Sequence, residues 1–136
     1  MDTSSSAAAS GSGARIVLGT AAGATAEDPF GPGDPLAVAR LVRRALADAG
    51  RKAFDVSDLL VAGEAPVAGD ALERFARRAL GPHGTSVRGA SVQVEAGDHD
   101  TRRRMAIGSA PTPAPGQVTI AVVLGPGEAA SVVCLG

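Results

Sequence analysis

The chain has no tryptophan and no tyrosine, and only three phenylalanines in 136 residues. A core must therefore be assembled from Val, Leu, Ile and Ala. There is one cysteine, Cys134, which excludes an internal disulfide framework and suits a reducing cytoplasm. No apolar run approaches membrane-spanning length. The opening residues, MDTSSSAAASGSG, lack both a basic region and an apolar core, so they are not a signal peptide. They read as a disordered Ser/Ala/Gly tail over 1–13. Neither sign of charge dominates: the formal net charge is −1, which by itself argues neither for nor against nucleic acid. The glycines form no G-x-G-x-x-G after a strand, so no dinucleotide site is supported. The expectation is a cytoplasmic protein with no cofactor, no bound metal, and neither nucleic acid nor membrane as partner.

What is present is a long supply of small and branched apolar residues, 45% of the chain, enough for one domain over 14–136. Residues Ala14 to Thr20 read as a first strand, with Ile16, Val17 and Leu18 buried on both faces. A Gly/Pro-rich loop, Ala21 to Gly33, follows. Asp34 caps a helix that has Pro35 at its first position. Val38, Leu41, Val42, Ala45, Leu46 and Ala49 give that helix one apolar face, and Gly50 ends it. Leu59, Leu60 and Val61 form a second strand. Leu72, Phe75, Ala76, Ala79 and Leu80 stripe a second helix that Gly81-Pro82 stops. A third strand centres on Ala90 to Val94. Asp100 to Ile107 reads as a short helix before a Pro-rich breaker. Gln117 to Leu124 and Ala129 to Leu135 flank G-P-G-E as a hairpin.

The order is βαβαβ-(short α)-ββ. It predicts an α/β fold with a five-stranded mixed sheet flanked by helices. Ile16 to Leu18, Leu59 to Val61 and Ile120 to Val123 are the expected central strands. If the two long helices lie on opposite faces, each face is only partly covered.

The stretch from Asp55 to Glu73, DVSDLLVAGEAPVAGDALE, carries a specific resemblance. It is similar to the C-terminal half of the β-ketoacyl synthases, of the thiolase superfamily. Those enzymes have a strand, then H-G-T-G-T-P-x-G-D-x-x-E, then a helix. Asp55 and Val56 match the D-V before the strand. Gly63 matches the first glycine, and Gly69, Asp70 and Glu73 match G-D-x-x-E. Asp34-Pro35, the first helix and Ala47-Asp48-Ala49-Gly50 resemble the start of that half. The resemblance implies a single thiolase-like half-domain from about Arg15 onward.

The same comparison shows what is missing. Ketosynthase condensation needs a cysteine nucleophile and two polar groups that stabilise charge on the thioester oxygen. The family's cysteine lies in the other half. Ala62 stands where the first catalytic histidine belongs, and Glu64, Ala65 and Pro66 replace T-G-T. The second histidine belongs to S-V-K-S-N-I-G-H. Here Ser91, Val92 and Gly97 match the frame, Gln93 replaces the lysine and Asp98 the histidine. His99 comes one residue late, and a one-residue slip would restore it.

Glu64, Asp98 and His99 are therefore the candidates for acid–base work. Asp98, His99 and Asp100 could hold a metal or shuttle a proton, but adjacent residues converge poorly on one ion, and a solvated loop is the simpler reading. Glu64 and Glu128 each replace a neutral family residue near the former active site. Arg102, Arg103 and Arg104 form a candidate anion cluster for a carrier protein or a pantetheine phosphate; an ordinary solvated charge run is the alternative. His83 reads as a loop residue and Cys134 as an inert core residue.

The resemblance implies a non-catalytic ketosynthase-like subunit, akin to a chain-length factor. It would pair with itself or with an active ketosynthase, and with an acyl carrier protein, in bacterial polyketide or fatty-acid-type biosynthesis. The Gly-, Ala- and Arg-rich composition points to a high-GC, actinobacterial source. The alternatives are a small enzyme reusing the cleft for acyl-thioester hydrolysis or dehydration through Glu64, Asp98 and His99, and a purely structural homodimer.

Overall fold

The computed structural model describes residues 15–24, 36–94 and 97–136. The expected tail, most of the first loop and the Asp34-Pro35 cap lie outside these residues. Among these residues five strands and three α-helices follow one another: β1 (Val17–Ala24), α1 (Leu36–Ala49), β2 (Val56–Gly63), α2 (Gly69–Leu80), β3 (Arg88–Gln93), α3 (His99–Ser109), β4 (Val118–Leu124) and β5 (Ala129–Leu135), with short 3-10 helices at Ala53–Asp55 and Gly81–Ser86. The strands form one five-stranded mixed sheet in the order β1-β5-β4-β2-β3. β2 is parallel to both β3 and β4, and β5 is antiparallel to both β4 and β1. The expected mixed sheet and closing hairpin are therefore present.

β2 and β4 are central, as the apolar runs at Leu59–Val61 and Ile120–Val123 require. The first strand is not. β1 lies at the sheet edge, where Ile16 is 62% and Val17 46% exposed. The run Ile16–Leu18 straddles the start of the strand, which continues through Thr20, Ala22 and Ala24, all exposed. A strand buried on both faces reads as one long apolar run; β4 (VTIAVVL) and β5 (AASVVCL) are such runs, and they take the interior places.

The two long helices do not take opposite faces. α1 and α2 lie on the same face. Val38, Leu41, Val42 and Leu46 of α1, with Leu72, Phe75 and Leu80 of α2, pack on Leu59, Val61, Ile120, Val122 and Val132. Each helix offers its apolar stripe at i, i+3, i+4 spacing, so burial rather than intrinsic propensity holds it there. The Arg43 guanidinium ties the two helices by donating to the Arg78 and Ala79 carbonyls at 2.8 and 3.4 Å. α1 reaches the sheet because β1 has a glycine beneath it: a Cβ on Gly19 would lie 2.4 Å from the Ala45 carbonyl oxygen.

Among the described residues the opposite face has one helix, α3. Ala106 and Ala110 pack on Leu60, Ala62, Ala121, Val123, Val133 and Leu135. Strand register puts Thr20 and Ala22 of β1 on this face beside Val133 and Ser131, and Ala90 of β3 beside Leu60. All three are exposed, as is Met105 of α3 at 48%. The middle of the face is covered and its margins are bare. No helix among the described residues is long and apolar enough to cross a membrane.

Candidate functional site

The parallel strands end at Gly63 and Leu124, and the first turn of α3 stands over that end. Asp98 is the N-cap of α3, and its carboxylate accepts from the Thr101 amide at 2.8 Å. That backbone bond holds its carboxyl below the usual carboxylate range, with the Thr101 side chain adding to the effect. Asp100 turns outward and pairs with Arg104 one turn on, at 3.2 Å.

His99 turns inward. Its Nδ1 lies 2.7 Å from the Gly125 carbonyl oxygen and its Nε2 2.8 Å from Ser131 Oγ. A carbonyl can only accept, so Nδ1 carries the proton, and in the neutral ring Nε2 accepts from the Ser131 hydroxyl. A base and a hydroxyl are thus joined, but Ser131 is 3% exposed. Its Oγ is not offered to solvent, and the trio braces α3 against the β4–β5 turn. Gly125, at φ +76 and followed by a cis bond to Pro126, is left-handed there, as a glycine permits.

Arg102, one turn along α3, is 3% exposed. Its Nη1 donates to the Leu124 carbonyl at 3.1 Å, and Nη2 stands 3.5 Å from Glu64 Oε1. Its Nε is buried without a hydrogen-bond partner among the described residues. A Cβ on Gly125 would come within 2.6 Å of Nη1, so the guanidinium lies against bare backbone.

The sequence candidates are therefore distributed among separate partners. Glu64 engages Arg102, Asp98 engages its own helix, and His99 engages the β4–β5 turn. The arginine run divides: Arg102 points into the fold while Arg104 is exposed in its pair with Asp100. Ala62 is fully buried in the sheet. His83, read as a loop residue, instead lies half-buried in the 3-10 helix Gly81–Ser86, where its Nε2 meets the Val56 carbonyl at 2.8 Å. Cys134 is buried in β5, and burial pushes its thiol from 9.0 up to about 11. Among the described residues no three His, Cys, Asp or Glu side chains gather as a metal site. Ser131 and the inward turn of Arg102 were not among the residues the sequence singled out for these roles. A lone serine in an apolar strand and an arginine at Ala106 minus four, on the buried face of α3, were the available signals.

No protein-family model and no curated protein matches this sequence. Solved structures match its fold. An oxazolomycin ketosynthase domain from Streptomyces albus superposes with a TM-score of 0.57 at 17% identity, over 90% of this chain and 44% of that one. The priming β-ketosynthase of the R1128 polyketide biosynthetic pathway gives 0.53 at 12% identity, over 90% and 49%. A tetronic acid condensing enzyme gives 0.52 at 15%, over 90% and 52%. The chain thus has the thiolase-like fold of ketosynthase domains and spans about half the length of these structures.

Proposed function

We propose that this chain is a non-catalytic, ketosynthase-like subunit that works by pairing, in the manner of a chain-length factor. Its partner is a second copy or an active ketosynthase, and the setting is polyketide or fatty-acid-type biosynthesis with an acyl carrier protein. The observation that carries the reading is the unequal cover of the sheet. Among the described residues two helices shield one face, while α3 alone stands on the other between the exposed margins of Thr20 and Ala22 on one side and Ala90 on the other. Small side chains there leave a surface that a second helix layer can approach closely.

The chemistry supports the same reading. Charge on a thioester oxygen needs polar donors aimed at it. Ala62 offers none. Both nitrogens of His99 are engaged by Gly125 and Ser131, and Asp98 is engaged by Thr101. The test is sedimentation velocity at micromolar concentration, alone and with a candidate ketosynthase. The reading requires a species heavier than one chain in at least one of the two samples. A monomer in both removes it.

A further inference from the structure

β3 is an end strand. β2 pairs with one of its edges, and among the described residues no strand pairs with the other. Alternation fixes which backbone groups that leaves. The Val94 amide donates to the Gly63 carbonyl at 2.8 Å, so Val94, and with it Val92 and Ala90, turns its amide and carbonyl towards β2. Gly89, Ser91 and Gln93 therefore turn theirs outward, at the two-residue spacing that a further strand would match. The other end strand presents a less regular edge. The β1 register shifts between Val17 and Gly19, whereas Arg88–Gln93 pairs without a break and contains no proline.

On the α2 side this edge borders a cavity of about 400 Å3. Leu72, Ala76, Val87 and Gly89 make its apolar part, and Asp70 and Glu73 line it with carboxylates. Gly89 is what opens it: a Cβ there would meet the Leu72 side chain at 3.5 Å, an ordinary contact, so the missing side chain is part of the cavity. Asp70 makes one long contact, 3.4 Å to Arg74, with both side chains largely exposed. Glu73 is exposed, and the α2 arginines lie outside the lining. Ser91 faces the same side, where its Oγ accepts from the Val67 amide at 2.9 Å.

We infer that the β3 edge binds an extended peptide strand with a lysine or arginine opposite Gly89. The strand pairs its backbone with Gly89, Ser91 and Gln93. Residues directly opposite on paired strands project to the same face, so the basic side chain enters the cavity. Its aliphatic stem lies on Leu72 and Ala76, and its charge meets Asp70 and Glu73. A second copy pairing through the same edge fits less well. A two-fold axis at Ser91 sets Gln93 opposite Gly89, and Gln93 brings no positive charge to the carboxylates. The proposal uses neither the α3 face nor the pairing proposed above, so the two fail separately.

The probe is the peptide acetyl-TVKVT-amide, added to the 15N-labelled full chain and followed by 1H–15N NMR. Saturable shifts are expected at the Gly89, Ser91 and Gln93 amides. Hydrogen exchange should slow at these three and stay unchanged at Ala90 and Val92, whose amides already face β2. Acetyl-TVEVT-amide should bind about tenfold more weakly. Glu73→Lys, at an exposed helix position, should weaken the lysine peptide by about threefold or more. Gly89→Leu fills the cavity and should abolish saturation. Equal binding of the two peptides, no saturation, or an unchanged affinity in Glu73→Lys or Gly89→Leu would each overturn the proposal. So would slow exchange at the three outward amides of the free chain that deepens with protein concentration, since a second copy would then hold the edge.

Discussion

The seat of α1 on β1 can be tested by adding one methyl group. In Gly19→Ala the new Cβ would lie 2.4 Å from the Ala45 carbonyl oxygen, 2.6 Å from the Ala49 amide nitrogen and 2.9 Å from the Ala49 Cβ. The first two are backbone atoms of a helix, so no rotamer change relieves them. An ordinary contact is roughly 3.5 Å, so α1 must lift by about 1 Å or β1 must bend away. A gap of that size forfeits a quarter to a half of the dispersion energy across it. α1 buries Val38, Leu41, Val42 and Leu46 against this layer. At about 1.5–3 kcal/mol for each such side chain, a quarter of the total is about 1.5–3 kcal/mol. That lies within the usual cost of overpacking. With no tryptophan or tyrosine to report fluorescence, urea unfolding followed by far-ultraviolet circular dichroism is the assay. The expected result is a lower midpoint at unchanged slope. A loss below about 0.5 kcal/mol would show that α1 does not sit on β1 as described.

Three further outcomes follow from the site. His99→Ala leaves the Gly125 carbonyl and the Ser131 hydroxyl without their partner and should cost about 1–3 kcal/mol; a double-mutant cycle with Ser131→Ala should show coupling, and additivity would mean that the two residues do not act together. The Cys134 thiol should resist a disulfide reagent at pH 8 in the folded protein and react at once in urea. Its pKa is raised in the fold, so its contribution to stability is complete below about 9 and is lost as pH rises towards about 11; a flat stability profile over that window would contradict its burial. The purified chain should neither condense nor decarboxylate malonyl thioesters, and turnover abolished by His99→Ala would overturn the non-catalytic reading.

Much of the fold was legible because it rests on periodicity. The α2 stripe of Leu72, Phe75, Ala76, Ala79 and Leu80 is buried residue for residue. The turn between β4 and β5 was legible from Gly125, Pro126 and Gly127, a cluster that favours a turn over a continued strand. The place of β1 was not, because a three-residue apolar run does not say whether both its edges find partners. That depends on β5, more than a hundred residues away, whose Ala129–Leu135 run pairs on both sides. The shared face of α1 and α2 was hidden for a similar reason: each stripe shows that a face is buried, not which side of the sheet buries it.

The site was legible in its losses and not in its replacements. Ala62 and Asp98 at the expected histidine positions are visible in the sequence. That Arg102 turns inward to Leu124 and Glu64 follows only from helix phase: it lies four residues before buried Ala106, which is itself four before buried Ala110. The weak apolar pattern of α3, with three consecutive arginines, disguises that buried row.

The central claim is that the α3 face is where this chain pairs. Ala22→Glu places a charge on the exposed margin of that face, and Ala37→Glu places the same charge on the exposed side of α1, on the opposite layer. Sedimentation equilibrium of both variants at micromolar concentration, alone and with a candidate ketosynthase, separates the two surfaces. Association weakened at least tenfold by Ala22→Glu and unchanged by Ala37→Glu is the predicted result, equivalent to about 1.4 kcal/mol or more. Association lost in Ala37→Glu and kept in Ala22→Glu would contradict the account.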